Sequence, residues 1–178
     1  MSFAAFPCWL QRCDNTAADR FWSVYLQDAP RNQRLPCEDV PTLDLRREKR
    51  MRKLARSLTE GQTSALNRFA ASSGYTPNQI TQLAWMQALA HRLDSDDVVI
   101  GTTMSERPAE IENVAKMVGL FVASPVLRLC DIRQQNASTL LAHIAATQPD
   151  RQQYAFHELN HYSPEWIPTS PFGSLFVF

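Results

Sequence analysis

Cysteine is scarce and scattered. Only Cys8, Cys13, Cys37 and Cys130 occur among 178 residues, and no two stand in C-x-x-C spacing. Disulfide frameworks belong to short secreted chains, so free thiols in a reducing cytoplasm are the expectation. Structural zinc needs tighter pairs, so the thiols point to no metal site. A surplus of charge is also missing, since 18 Lys and Arg face 18 Asp and Glu. Nucleic-acid binding needs a basic excess to meet phosphate, which sets that class aside. No apolar run approaches membrane-spanning length, so no membrane contact is expected. No basic segment precedes the short apolar stretch at the start, so no secretory signal is read and the expected location is cytoplasmic. No repeat or low-complexity block occurs.

What is present suits a folded domain. Hydrophobic content is 44% and charged content 20%, and this length allows one domain with a sizeable core. The organising stretch runs from Asp97 to Leu129. Val98-Val99-Ile100 is a β-branched run, read as a buried strand that stops where Gly101 gives the backbone freedom. Glu106 to Met117 is a polar, helix-capable excursion. Phe121 to Leu129 is a second apolar run, broken by Pro125, which cannot donate to a central ladder. A strand thus leaves, and a second one returns.

Helices are expected around this core. Thr16 to Gln27 reads as one, with Thr16 as N-cap, Asp19 in the first turn and a stripe of Phe21, Trp22, Tyr25 and Leu26. Pro30 to Pro41 reads as loop. Thr59 and Gln62 form a capping box for a helix to Ser73, with Leu66, Phe69 and Ala70 inward and Gly74 as its left-handed stop. Thr76-Pro77-Asn78-Gln79 repeats the signal for a helix to about Leu93. Its apolar face is Ile80, Leu83, Ala84, Gln87 and Ala90, widened by Met86 and Leu89. Ser138 to Gln148 is a helix with Leu140, Leu141, Ile144 and Ala145 inward, ended by Pro149. A short helix over Tyr154 to Tyr162 and a terminal strand over Ser174 to Phe178 complete the reading. The charge run Arg46 to Lys53 reads as a solvated segment leading into a strand, because no aromatics interleave it.

One motif offers metal chemistry. His157-Glu158-Leu159-Asn160-His161 matches H-E-x-x-H, which on a helix places two His on one face with Glu as general base. Polar residues precede it, Pro164 limits any helix, and the extended form of the motif fails at positions 164 and 167. A zinc hydrolase is therefore the remote alternative, and no metal ligand is assigned.

Several segments, in order, resemble a known family. Phe3-Ala4-Ala5-Phe6-Pro7-Cys8-Trp9 looks like Tyr-x-Asp-Phe-Ala-Val-Trp, with Ala5 in place of Asp. Val99-Ile100-Gly101-Thr102-Thr103-Met104-Ser105-Glu106-Arg107 looks like a strand and floor-loop segment. Val118-Gly119-Leu120-Phe121-Val122-Ala123-Ser124 with Arg128 looks like Ile-Gly-x-Phe-Val-Asn-Thr-x-x-x-Arg, with Ala123 for Asn and Ser124 for Thr. Tyr154 to Leu159 looks like Asp-Tyr-Pro-Phe-Glu-Gln-Leu-Val, and Ser170-Pro171-Phe172 with Leu175 to Phe178 looks like a closing Ser-x-x-Pro-Leu-Phe segment. The chain so resembles the condensation domain of non-ribosomal peptide synthetases, in the chloramphenicol-acetyltransferase-like superfamily. The resemblance is to the C-terminal lobe.

The resemblance implies an α/β fold: a mixed β-sheet flanked by helices, one lobe of a two-lobed acyltransferase. Residues 1–45 would be the inter-lobe helix and linker. Residues 46–178 would be the α/β core, with the floor loop at 101–118. The implied reaction is amide formation between carrier-bound aminoacyl thioesters. Its His-His-x-x-x-Asp-Gly motif belongs to the first lobe and is not found around His91, His143, His157 or His161. A missing general base or orienting group removes roughly a hundred to ten thousand in rate. No catalytic residue is therefore assigned, and the isolated lobe is expected to be inactive. Thr102, Thr103, Met104, Ser105, Ala123 and Ser124 are the expected tunnel residues, and Thr103, Ser105 and Ser124 offer hydroxyls to a pantetheine arm. Arg107 is expected to pair with Glu110 or Glu112. No cofactor is expected on this lobe beyond the phosphopantetheine arm of a carrier as tethered substrate. The implied partners are the first lobe and peptidyl carrier proteins. Self-association through an uncovered inter-lobe surface, or a docking and recruitment role without catalysis, is the alternative.

Overall fold

A computed structural model describes residues 3–30, 33, 35, 53–157 and 172–178. Five helices are described, α1 (Ala5–Leu10), α2 (Thr16–Tyr25), α3 (Glu60–Ser73), α4 (Pro77–Leu93) and α5 (Ala137–Gln153). Five strands accompany them: β1 (Val98–Thr102), β2 (Met104–Ser105), β3 (Val122–Ala123), β4 (Val126–Leu129) and β5 (Leu175–Phe176). The sheet order is β4-β1-β5, with β1 antiparallel to β4 and parallel to β5. β2 and β3 form a separate antiparallel ribbon. This is the expected mixed sheet flanked by helices.

Burial against a core on each face explains why β1 and β4 are mostly apolar, with Arg128 the one charged residue in the two strands. Val98, Ile100, Leu127 and Leu129 face a cluster with Leu83, Met86 and Leu89 of α4 and Leu140, Leu141 and Ile144 of α5. Val99 and Val126 face the other way, onto Trp22 and Leu26. A strand covered on both faces has no polar side to alternate with. Each fully buried Leu or Ile here contributes about 1.5–3 kcal/mol relative to exposure. Gly101 does not stop β1. It pairs with Val126 on one side and Leu175 on the other, and a Cβ there would collide with the Phe172 ring. Its small size matters, rather than a special dihedral.

Long-range side chains finish the sheet's open backbone. The Gln33 amide accepts from Val99 N–H (2.8 Å) and donates to the Asp97 carbonyl, as a neighbouring strand would. The Tyr25 hydroxyl accepts from Arg128 N–H (3.0 Å) and donates to its carbonyl (3.3 Å). Such capping blunts edges that would otherwise recruit another chain. Arg128 then grips Asp97 through Nε (3.0 Å) and donates to the Tyr25 and Gln27 carbonyls, tying α2 to the sheet.

Both capping boxes form as read, and α3 stops at Gly74. Other local readings need correction. Thr16 is the first helical residue, and its N–H and hydroxyl both donate to Asp14, so Asp14 supplies the oxygen expected of Thr16. Phe69 is half exposed, because α3 buries only Ala70. In α4 the buried face is Gln82, Leu83, Met86, Leu89 and Ala90, with Ala84 and Gln87 outside. The helix-capable excursion from Glu106 to Met117 forms turns and one 3-10 turn, Val114–Lys116. α5 continues through Pro149 to Gln153, held by Leu140, Ile144 and the fully buried Arg151. Tyr154 to His157 is turn and bend, and the rest of the expected short helix lies outside the described residues. So does most of the Pro30 to Pro41 loop and of the charge run. Leu54 to Thr59, which follows that run, has no strand.

Candidate functional site

The candidate site residues gather on the β2–β3 ribbon and the end of β1. Met104 pairs with Ala123 and Ser105 with Val122. Successive side chains on a strand point to opposite faces. Ala123 and Phe121 are buried on the inner side, whereas Ser105, Val122 and Ser124 are exposed on the outer side. The six predicted residues are therefore divided by face. Ser105 and Ser124 present hydroxyls outward. Ala123 packs inward, with Met104 opposite it in the ladder. Thr103 is half-buried, and its N–H donates to the Phe176 carbonyl (3.0 Å), securing β5. Thr102 is fully buried. Its N–H (2.9 Å) and hydroxyl (3.1 Å) both donate to the Pro125 carbonyl, so its oxygen locks the turn between β3 and β4.

Sequence reading missed the apolar half of this surface. Val118 is 92% exposed, Leu120 71% and Val122 46%, while Met117 and Phe121 are buried. The exposed members stand at every second position, a period that was available in the sequence. Small hydroxyls thus stand beside exposed branched aliphatics in this part of the chain.

An aromatic knot supports the ribbon from within. Phe121 meets Phe3 edge-on (5.2 Å between ring centres) and Phe6 at 5.0 Å, and Phe6 meets Phe156 at 4.9 Å. The Phe3 ring lies where a Cβ on Gly119 would be, which is why that position is Gly. Ile111 and Met117 are buried in the same cluster. The aromatic start of the chain thus packs beneath the candidate site. Arg107 does not pair with Glu110 or Glu112. It donates to the Val114 (2.7 Å) and Met117 (2.9 Å) carbonyls and lies over the Phe121 ring.

Of the described histidines, His143 and His157 make contacts with α2. His157 follows the end of α5 in a bend, so it is not on a helix, and its Nε2 is 3.1 Å from Asp19 Oδ1 on α2. Glu158 and His161 lie outside the described residues. Among the described residues no three His, Cys, Asp or Glu gather as metal ligands. His143 stacks on the Tyr25 ring, and burial beside Arg151 pushes its imidazole below the ordinary value.

Comparison with known proteins extends this geometry. A sequence profile described as "Condensation domain" matches residues 2–178. Chondramide synthase cmdD of Chondromyces crocatus is 30% identical over 181 residues, covering 99% of this chain and 4% of that protein. A linear gramicidin synthase polypeptide of Brevibacillus parabrevis is 30% identical over 183 residues, again covering 99% of this chain and 4% of its own length. The chain thus spans a few per cent of the relatives it matches. Among solved structures, the EpoB cyclization-docking bidomain of Sorangium cellulosum superposes with a TM-score of 0.72 at 18% identity, covering 89% of this chain and 33% of that one. The first condensation domain of the calcium-dependent antibiotic synthetase, in complex with a substrate analogue, gives 0.69 at 16% identity, covering 97% and 38%. At such identities the likeness concerns the fold.

Proposed function

The chain belongs to the condensation-domain family of non-ribosomal peptide synthetases, and from that membership we propose that it is the C-terminal lobe of such a domain. The chain covers 33% and 38% of those two structural neighbours, in keeping with one part of a larger fold. Residues 1–45 serve as inter-lobe helix and linker, and 46–178 as the core that carries the floor loop at 101–118. In the intact domain the amine of one carrier-tethered aminoacyl group attacks the thioester carbonyl of another. A C–N bond forms, the C–S bond breaks, and the thiol stays on the donor's phosphopantetheine arm. This lobe supplies a wall of the tunnel in which the two arms meet. The imidazole that handles the amine proton comes from the first lobe.

The observation that carries this reading is the outer face of the ribbon. Ser105 and Ser124 flank the exposed Val122 there, and the group suits an arm whose amides are separated by short hydrocarbon runs. The experiment mixes two loaded carrier proteins with the purified chain, with and without a first lobe joined to it. No dipeptidyl thioester is expected from the chain alone, and product is expected from the joined form. Product from the chain alone, at the rate of the joined form, would sink the assignment. A second reading, a docking module without catalysis, is favoured by the exposed Val118 and Leu120. It is preferred if the joined form binds carriers or tailoring proteins yet makes no product.

A further inference from the structure

A ribbon of two-residue strands has few ladder bonds, and an isolated hairpin is marginal in water. Its fixity has to come from what lies beneath and beside it. The supporting contacts converge on residues 106 and 107. The Glu106 N–H donates to the Phe121 carbonyl (3.1 Å), and its carboxylate accepts from Gln152 on α5 (2.9 Å). Residues 108–117 leave after β2 and return toward β3. Arg107 Nη1 closes that detour by donating to the carbonyls of Val114 and Met117 near its far end. The same guanidinium lies 4.3 Å from the centre of the Phe121 ring, the aromatic just before β3. One planar cation thus fastens both ends of the detour to the knot under the ribbon.

We infer that Arg107 is a positioning residue: it touches no substrate, and it fixes the placement of the outer face that carries Ser105, Val122 and Ser124. This rests on the proposed reading of that face as a tunnel wall. The requirement is for arginine. A guanidinium can donate to two carbonyls in its plane while its face lies on a ring. A lysine ammonium is a point charge without that fork.

The test has two arms. In the first, amide hydrogen exchange is followed in the 178-residue chain, wild type against Arg107→Lys and Arg107→Ala. Amides of 104–106 and 121–123 should exchange about tenfold faster in both variants, while those of 98–100 and 127–129 stay unchanged. Unchanged exchange in the ribbon overturns the proposal. In the second arm, condensation is measured with the chain joined to a first lobe. Arg107→Lys should lower kcat about tenfold and leave KM for loaded carriers within about twofold, because a misplaced arm loses orientation and not docking. Loss of condensation without loosening of the ribbon would make Arg107 a substrate contact and also overturns the proposal. Loosening with full condensation would sink the tunnel-wall reading and leave the clasp standing.

Discussion

Tyr25 shows how much one side chain can carry. Its ring stacks on Phe21 and His143, and its hydroxyl serves both backbone groups of Arg128. Burial pushes its phenol above the ordinary value of 10.0, with Arg151 and the Arg128 hydrogen bond pulling the other way. A phenol raised in the fold contributes stability that is complete below the unfolded value near 10 and is lost as pH rises through the folded value. Tyr25→Phe should therefore cost about 1–3 kcal/mol at neutral pH, by leaving backbone groups unsatisfied. The difference from wild type should shrink above about pH 10, where only wild type has a buried phenol at this position to ionise. Urea unfolding from pH 7 to 11 reads both effects, and a difference that stays constant with pH would refute the second. The sequence revealed Tyr25 as part of an apolar stripe. Its hydroxyl's role was hidden, because the partner lies 103 residues further on. Arg107 was hidden for another reason, since its acceptors are carbonyls, which every residue has.

At the scale of elements, what was local was legible. Thr59 with Gln62 and Thr76 with Gln79 cap their helices as read, because both partners of each box lie within three residues. α5 shows where local reasoning fails. Pro149 removes a backbone donor and normally breaks a helix, yet the helix runs on to Gln153. Beyond the proline, Arg151 is fully buried and donates to the Ile144 carbonyl (3.2 Å) earlier on the same helix, tying the last turn to the turns before Pro149. Tertiary packing here outweighs propensity. Pro149 itself is exposed, so replacing it leaves no cavity. Pro149→Ala restores an N–H and relieves the clash, but loosens the unfolded chain, and should stabilise by about 1–2 kcal/mol. A raised midpoint in thermal unfolding checks this. A fall would mean that the local bend made by proline is needed for Arg151 to reach its seat. The detour at 106–117 fails in the opposite sense. Its composition allows a helix, but Ile111 and Met117 are drawn into the aromatic knot, and a regular helix does not form.

For the whole molecule, the sheet and its helices follow from apolar runs in the sequence, and the ribbon from the break at Pro125. The split of the site by face was not drawn, since only the pairing of Ser105 with Val122 shows which hydroxyls point outward. Val118, Leu120 and Val122 are all exposed, on a chain of zero net charge. Large exposed apolar patches favour association, and a net charge near zero does little to keep copies apart. If these residues are covered by the first lobe in the intact domain, the separate chain should self-associate through them. Light scattering at rising concentration should then show growing mass for the wild type. Val118→Asp with Leu120→Glu should hold the chain monomeric across the same range, with little loss of stability, because both side chains already face solvent. Association that survives the double substitution would move the contact elsewhere, with the exposed Val177 and Phe178 after β5 as the next surface to change.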